Sequence, residues 1–238
     1  MTDRYQKTMI GELRKVLKRM HYPLEIMLLY VSWYAAYPLS LRHMEEMMQE
    51  RGVFVVHATA HRWAIKIMPI LAVVFRRRKR PVGTSWRMDE TYIKVAGNWK
   101  YLYRAVEREG DTADCLLTAK RDLAAARRFL ERAINLHGLP DKITIDKSGA
   151  NTAAIASVKT DTGAEIELRQ NKYLNNIVEQ DHRAIKRITR PTLGFKSFRC
   201  ARILLAGIEV MHMVRKGQLD CPGEQPVSAA QQFYSLAF

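Results

Sequence analysis

The sequence is short of cysteine, of acidic charge and of long apolar runs. Its three cysteines, Cys115, Cys200 and Cys221, lie far apart and show neither CxxC nor cysteine-to-histidine ligand spacing. That excludes a disulfide framework and a zinc site, and reduced thiols fit a cytoplasm. The uncharged run 26–41 holds Pro38 and falls short of the roughly 20 apolar residues that a spanning helix needs, so no membrane-embedded segment is expected. The N-terminus lacks the basic-then-apolar order of a signal peptide. Acidic residues number 24 against 39 Lys and Arg, a formal net charge of +15 in 238 residues. Such an excess predicts a polyanionic partner, with nucleic acid ahead of an anionic membrane surface. A hydrophobic content of 47% argues against disorder.

What is present divides into two patterns. Up to about residue 75 the apolar spacing is helical. A charged helix over 1–22 would turn Ile10, Leu13, Val16, Leu17 and Met20 to one face, and a second follows from Pro23 to about Pro38. Ser40 can cap a third that stops at Gly52, and a fourth runs over 56–67 with Ala60, Trp63, Ala64 and Ile67 inward. Two short helices joined by a glycine-containing turn make a helix-turn-helix, whose second helix would offer Thr59, His61, Arg62 and Lys66 to a major groove. An ordinary helical bundle gives the same pattern. The fourth helix also lacks a Ser, Asp or Asn cap. His57 and His61 have no carboxylate or cysteine to complete a metal set, so they are read as surface residues.

Arg76, Arg77, Arg78, Lys79 and Arg80 then precede Pro81 and Gly83. Five consecutive cations read as a solvated linker over 76–85, serving as a hinge, a phosphate contact or both. Beyond it the period becomes strand-like. Strands are expected over 86–95, 99–107 and 113–118, a helix capped by Asp122, a strand over 142–145, a helix over 150–158, a strand over 165–169, and helices over 175–187 and 198–216. The order is that of a mixed α/β layer fold occupying 86–219, with 220–238 as a tail that packs on the domain or on another subunit.

Three carboxylates stand out. Strand alternation puts Asp89 on one face with Arg87 and Thr91, and Glu90 on the other. Asp146 ends a strand, where open sheets place ligands. Glu179 lies in the helix Asn175-Asn176-Ile177-Val178-Glu179-Gln180-Asp181-His182-Arg183-Ala184-Ile185-Lys186-Arg187, 33 residues after Asp146. At about 100° per residue, Arg183 and Lys186 share the face of Glu179 within about 40°, while Asp181 points nearly opposite and is excluded as a third ligand. Alone, that stripe is also what a salt-bridge ladder looks like. Two strand carboxylates and one helix carboxylate suit two hard divalent cations about 3.5–4 Å apart, the arrangement that serves phosphoryl transfer.

Met88-Asp89-Glu90-Thr91-Tyr92-Ile93-Lys94-Val95, Trp99-Lys100-Tyr101-Leu102-Tyr103-Arg104, Thr144-Ile145-Asp146-Lys147, Asn175 to His182 and Leu193-Gly194-Phe195-Lys196 resemble the DDE transposases of the insertion sequence 6 family. The resemblance implies an RNase H-like mixed-sheet catalytic core preceded by an all-helical helix-turn-helix domain. It also implies Asp89, Asp146 and Glu179 as catalytic and metal-binding residues for two Mg²⁺ or Mn²⁺ ions. Arg183, Lys186 and Arg187 would lie along DNA, and the N-terminal domain would bind terminal inverted repeats. A bacterial, nucleoid-associated protein working as a homodimer or larger multimer on double-stranded DNA is expected, moving its element replicatively. The rival readings are a DNA-binding regulator with an inactive core and an RNase H-like nuclease without strand transfer.

Overall fold

The computed structural model describes residues 20–146, 148–221 and 228–237. Most of the expected 1–22 helix lies outside them. The chain forms two compact units, one comprising the segments up to Arg80 and from Arg187 onward, the other Pro81–Lys186.

The second unit is built on a five-stranded sheet in the order β3-β2-β1-β4-β5, from β1 (Ser85–Val95), β2 (Asn98–Glu107), β3 (Thr112–Thr118), β4 (Lys142–Ile145) and β5 (Glu167–Gln170). The first three strands form an antiparallel meander, whereas β1–β4 and β4–β5 are parallel. The positive φ of Ala96 and Gly97 makes the two-residue turn between β1 and β2. Helices α4 (Leu123–His137) and α5 (Gly149–Thr162) make the crossovers, and Asp122 caps α4 by accepting the Ala125 N–H. Trp86, Met88, Tyr103, Ala105, Ile143 and Ile145 form one core with Ala126, Phe129 and Leu130 of α4 and Ala154, Ile155 and Val158 of α5. This is the RNase H-like mixed sheet anticipated above. A 3₁₀ turn (Lys172–Asn175) leads into α6 (Asn176–Thr189).

The other unit holds α1 (Leu24–Ala36), α2 (Leu41–Gln49), α3 (His57–Arg78), α7 (Phe198–Arg215) and α8 (Ala229–Tyr234). Ser40 caps α2 through the His43 N–H. Helix α3 departs most from expectation, continuing past Pro69 to Arg78. Proline removes one helical hydrogen bond and costs about 3 kcal/mol. The apolar stripe nevertheless continues through Met68, Leu71, Ala72, Val74 and Phe75, all buried, and five more buried side chains outweigh that cost. By length and composition α3 could cross a membrane, yet half of its most apolar window is packed inside the unit.

Helix α7 packs on α1 and α3, within the same compact unit as the N-terminal helices. Gly207 is the reason the helices can approach, because a Cβ there would overlap the Met68 side chain. Residues 76–85 are not a free linker. Arg76, Arg77 and Arg78 form the last turn of α3. The Arg80 N–H donates to the Gln218 carbonyl (2.9 Å), the Asp220 N–H donates to the Arg78 carbonyl (2.7 Å), and the Arg78 guanidinium donates to the Ser235 carbonyl (2.7 Å). The tail packs on its own unit: Phe233, Leu236 and Ala237 are buried, and a Ser228–Gln231 capping box starts α8.

Candidate active site

Asp89 lies within β1, and Asp146 directly follows β4, the parallel neighbour of β1. Arg87 is the register partner of Thr144. Carrying that register on by two residues, past the last strand pair, would set Asp89 opposite Asp146 on the same face of the sheet. Asp146 directly follows β4, in the crevice beyond the strand ends where α/β sheets bind ligands. On its other side, the Asn171 N–H donates to the Ile145 carbonyl (3.0 Å) and holds β5 in line.

Glu90 points to the opposite face, as strand alternation requires. It accepts from the Asn151 amide (2.9 Å) and pairs with Arg121. Burial raises its carboxyl above the usual range, with Asp89 and Asp146 adding to the rise against the opposing effects of Asn151 and Arg121.

Helix α6 covers the Asp89 face. Asp181 is buried and anchors it, accepting from Arg104 (3.2 Å) and from the Thr112 hydroxyl (3.0 Å). Arg104 lies opposite Asp89 in the β1–β2 register and is fully buried. The helical angle that excluded Asp181 as a ligand therefore points it at the sheet. His182, also buried, brings Nε2 to 3.4 Å from Asp89 Oδ2. Sequence reasoning passed over His182, although its place three residues after Glu179 puts it on the inward side of that face.

Glu179 sits in the first turn of α6, partly exposed, 3.6 Å from Arg183 one turn on. Among the described residues no three His, Cys, Asp or Glu side chains cluster closely enough to hold an ion. The fold thus brings His182 to Asp89 and leaves Glu179 with Arg183. The carboxylate oxygens are hard donors of the kind Mg²⁺ and Mn²⁺ take, so the residues present fit such ions.

The basic residues fall in several places. Arg183 and Arg187 are exposed, and Lys186 is half-buried. On α3, Arg62 and Lys66 are exposed and Arg62 donates to the Thr59 hydroxyl (2.8 Å). His61 differs from the expectation. Its ring is half-buried edge-on to Tyr34, with centroids 6.3 Å apart, and its Nδ1 is shielded from solvent. Burial, with Lys196 second, lowers its pKa below the ordinary histidine value. His57 pairs with Glu45 through Nδ1 (3.0 Å), and its N–H donates to the same carboxylate (3.1 Å). Glu45 of α2 thereby supplies the cap that Val56 cannot. Arg76 and Arg77 are exposed, while Arg78, Lys79 and Arg80 join the strand-like contact with residues 218–220.

Comparison with known proteins identifies the family of the chain. A family model described as a DDE domain matches residues 83–218. The transposase for insertion sequence-like element IS431mec of Staphylococcus aureus (strain Mu50) is 39% identical over 188 residues, 78% of this chain and 82% of that relative. The transposase for insertion sequence element IS257 in transposon Tn4003 of Staphylococcus aureus shows the same identity and coverage. Among solved structures, the HTLV-2 integrase catalytic core domain in complex with magnesium is 17% identical, with a TM-score of 0.39 over 66% of this chain and 86% of that one. That superposition is too loose to argue from; the sequence matches are not. On them, the chain belongs to the DDE transposases of the insertion sequence 6 family.

Proposed function

We propose that this protein binds the terminal inverted repeats of an insertion sequence and catalyses metal-dependent strand cleavage followed by strand transfer. The observation that carries the reading is the parallel pairing of β1 with β4, whose register runs on toward Asp89 within β1 and Asp146 just past β4, under a helix that bears Glu179. Asp89 and Asp146 would jointly hold one divalent cation and Glu179 would help hold a second, turning from Arg183 to do so. Such cations, when bound, offset charge on the reacting phosphate and ease deprotonation of the attacking oxygen.

The chain's own residues do the rest. His182 fixes the orientation of the Asp89 carboxylate, and the Asp181–Arg104 pair fixes α6 over the sheet. Arg183, Lys186 and Arg187 hold the DNA backbone by charge without reading sequence. Arg62 and Lys66, with Thr59, meet the terminal repeat from the exposed side of α3. In the first reaction, water attacks a phosphodiester at the element end and frees a 3′-OH. In the second, that 3′-OH attacks a target phosphodiester and displaces the target's own 3′ oxygen. One phosphodiester replaces another, so no energy-carrying cofactor is consumed. A dimer or larger multimer holding two ends, and a replicative outcome, complete the proposal.

The test is incubation of the purified protein with Mg²⁺ and labelled DNA from the flanks of the reading frame. Joined product is expected. Binding alone would support a regulator, and cutting alone a nuclease. Asp146→Asn should abolish cutting and joining while leaving end binding intact; strand transfer by that variant would overturn the site.

A further inference from the structure

A second site opens on the same sheet face as Asp89. It is a cavity of about 450 Å³ lined by Ser85, Thr144 and the cations Arg87, Arg108, Lys142 and Arg169. The sheet register puts them together. Arg87, Thr144 and Arg169 form one row across β1, β4 and β5, and Ser85 and Lys142 belong to the row below. Leu174, from the turn that leads into α6, completes the lining. Glu167 is the carboxylate set against these cations, pairing with Lys142 (2.8 Å) and Arg169 (2.7 Å). Arg87 is held in place by donating to the Arg108 carbonyl (2.9 Å). Four cations against one carboxylate leave the cavity strongly positive, and guanidinium forks match phosphate oxygens.

The row Arg87–Thr144–Arg169 lies two residues before the row of Asp89 and Asp146. At about 3.3 Å per residue the separation is about 6.6 Å, roughly one nucleotide along a strand. We infer that this cavity holds a backbone phosphate neighbouring the one at which the strand is cut, and so sets the register of the DNA strand across the acids. The inference rests on the transposase reading of Asp89 and Asp146. It adds a phosphate subsite on the sheet itself, separate from the basic stripe of α6.

The experiment measures affinity of the full chain for a short fluorescent duplex across a salt series. Arg87→Gln combined with Arg169→Gln should weaken binding about tenfold at low salt and reduce the slope of log affinity against log salt by about one unit, the share of one phosphate. Glu167→Gln removes the opposing charge and should tighten binding a few-fold, a gain that misfolding cannot mimic. Unchanged affinity and slope in both variants, or weaker binding by Glu167→Gln, would overturn the assignment. Inorganic pyrophosphate separates the sources of phosphate. If it raises the melting temperature of the wild type but not of the double variant, while duplex binding is the same in both, the cavity serves a free phosphate compound and the DNA assignment fails. Because none of these readouts needs catalysis, a wild type that makes no joined product would remove the transposase reading and leave the phosphate site standing.

Discussion

Replacing Asp181 by Ala tests whether α6 is held over the sheet by charge. Its carboxylate accepts one charged hydrogen bond from Arg104 and one from the Thr112 hydroxyl. The side chains of Arg104 and Asp181 are only 0% and 8% exposed. Both are hydrogen bonds to a charged group, each contributing about 1.5–3 kcal/mol. The sum, about 3–6 kcal/mol, spans the 3–5 kcal/mol typical of breaking a buried pair. Urea denaturation, with hydrogen exchange followed in β2 and α6, should show that loss, concentrated in those two segments. Joining activity should fall with it, since α6 carries Glu179 and His182. The double replacement Asp181→Leu with Arg104→Met should recover most of the stability, because an apolar pair of similar volume avoids desolvating two charges. A single variant within about 1 kcal/mol of wild type, or a double variant no better than the single, would refute this account of the anchor.

Three further outcomes follow from particular contacts. His182→Ala should raise the Mg²⁺ concentration needed for joining by about tenfold or more, since partners that orient a ligand typically matter 10–100-fold, and His182→Gln should restore part of it; a metal-titration curve unchanged in His182→Ala would reject the orienting role. Hydrogen bonds from His57 depress the Glu45 carboxyl below its ordinary value, so its stabilisation is present above the usual carboxylate range and is lost as pH falls through the depressed value; Glu45→Gln should remove that part of the acid dependence of thermal unfolding. Neutralising Arg76 and Arg77 should weaken binding to any duplex alike and flatten its salt dependence, whereas Arg78→Ala should cost about 1 kcal/mol of stability through its lost bond to the Ser235 carbonyl, both readable by anisotropy and urea titration.

Local pattern carried much of the architecture. Alternation in 86–118 marked the meander, Asp122 and Ser40 marked two helix starts that the structure confirms by their cap bonds, and alternation also parted Asp89 from Glu90. Where the sequence reading stopped short, the cause was a contact between distant segments. Pro69 reads locally as a helix end, and only the buried stripe of α3 against α7 overrides it. Arg76 to Arg80 read as solvated charge, yet three of the five, Arg78 to Arg80, are zipped to 218–220. His61 sits at an outward position in the helical pattern and is drawn against Tyr34 instead. The missing cap of α3 comes from Glu45, whose part in it depends on how two helices pack.

The sequence by itself determined the two periodicities, the excess of positive charge and the three acids, because strand alternation, helical angle and ionic composition are local properties of the chain. Only the tertiary structure decided that β1, which carries Asp89, pairs with β4, which leads into Asp146, that His182 reaches Asp89, that Asp181 closes on Arg104, and that four cations share one cavity on the sheet. Those outcomes hang on the register between β1 and β4, set by the pairing of residues 57 apart in the chain, where a slip of one residue would turn every side chain to the other face.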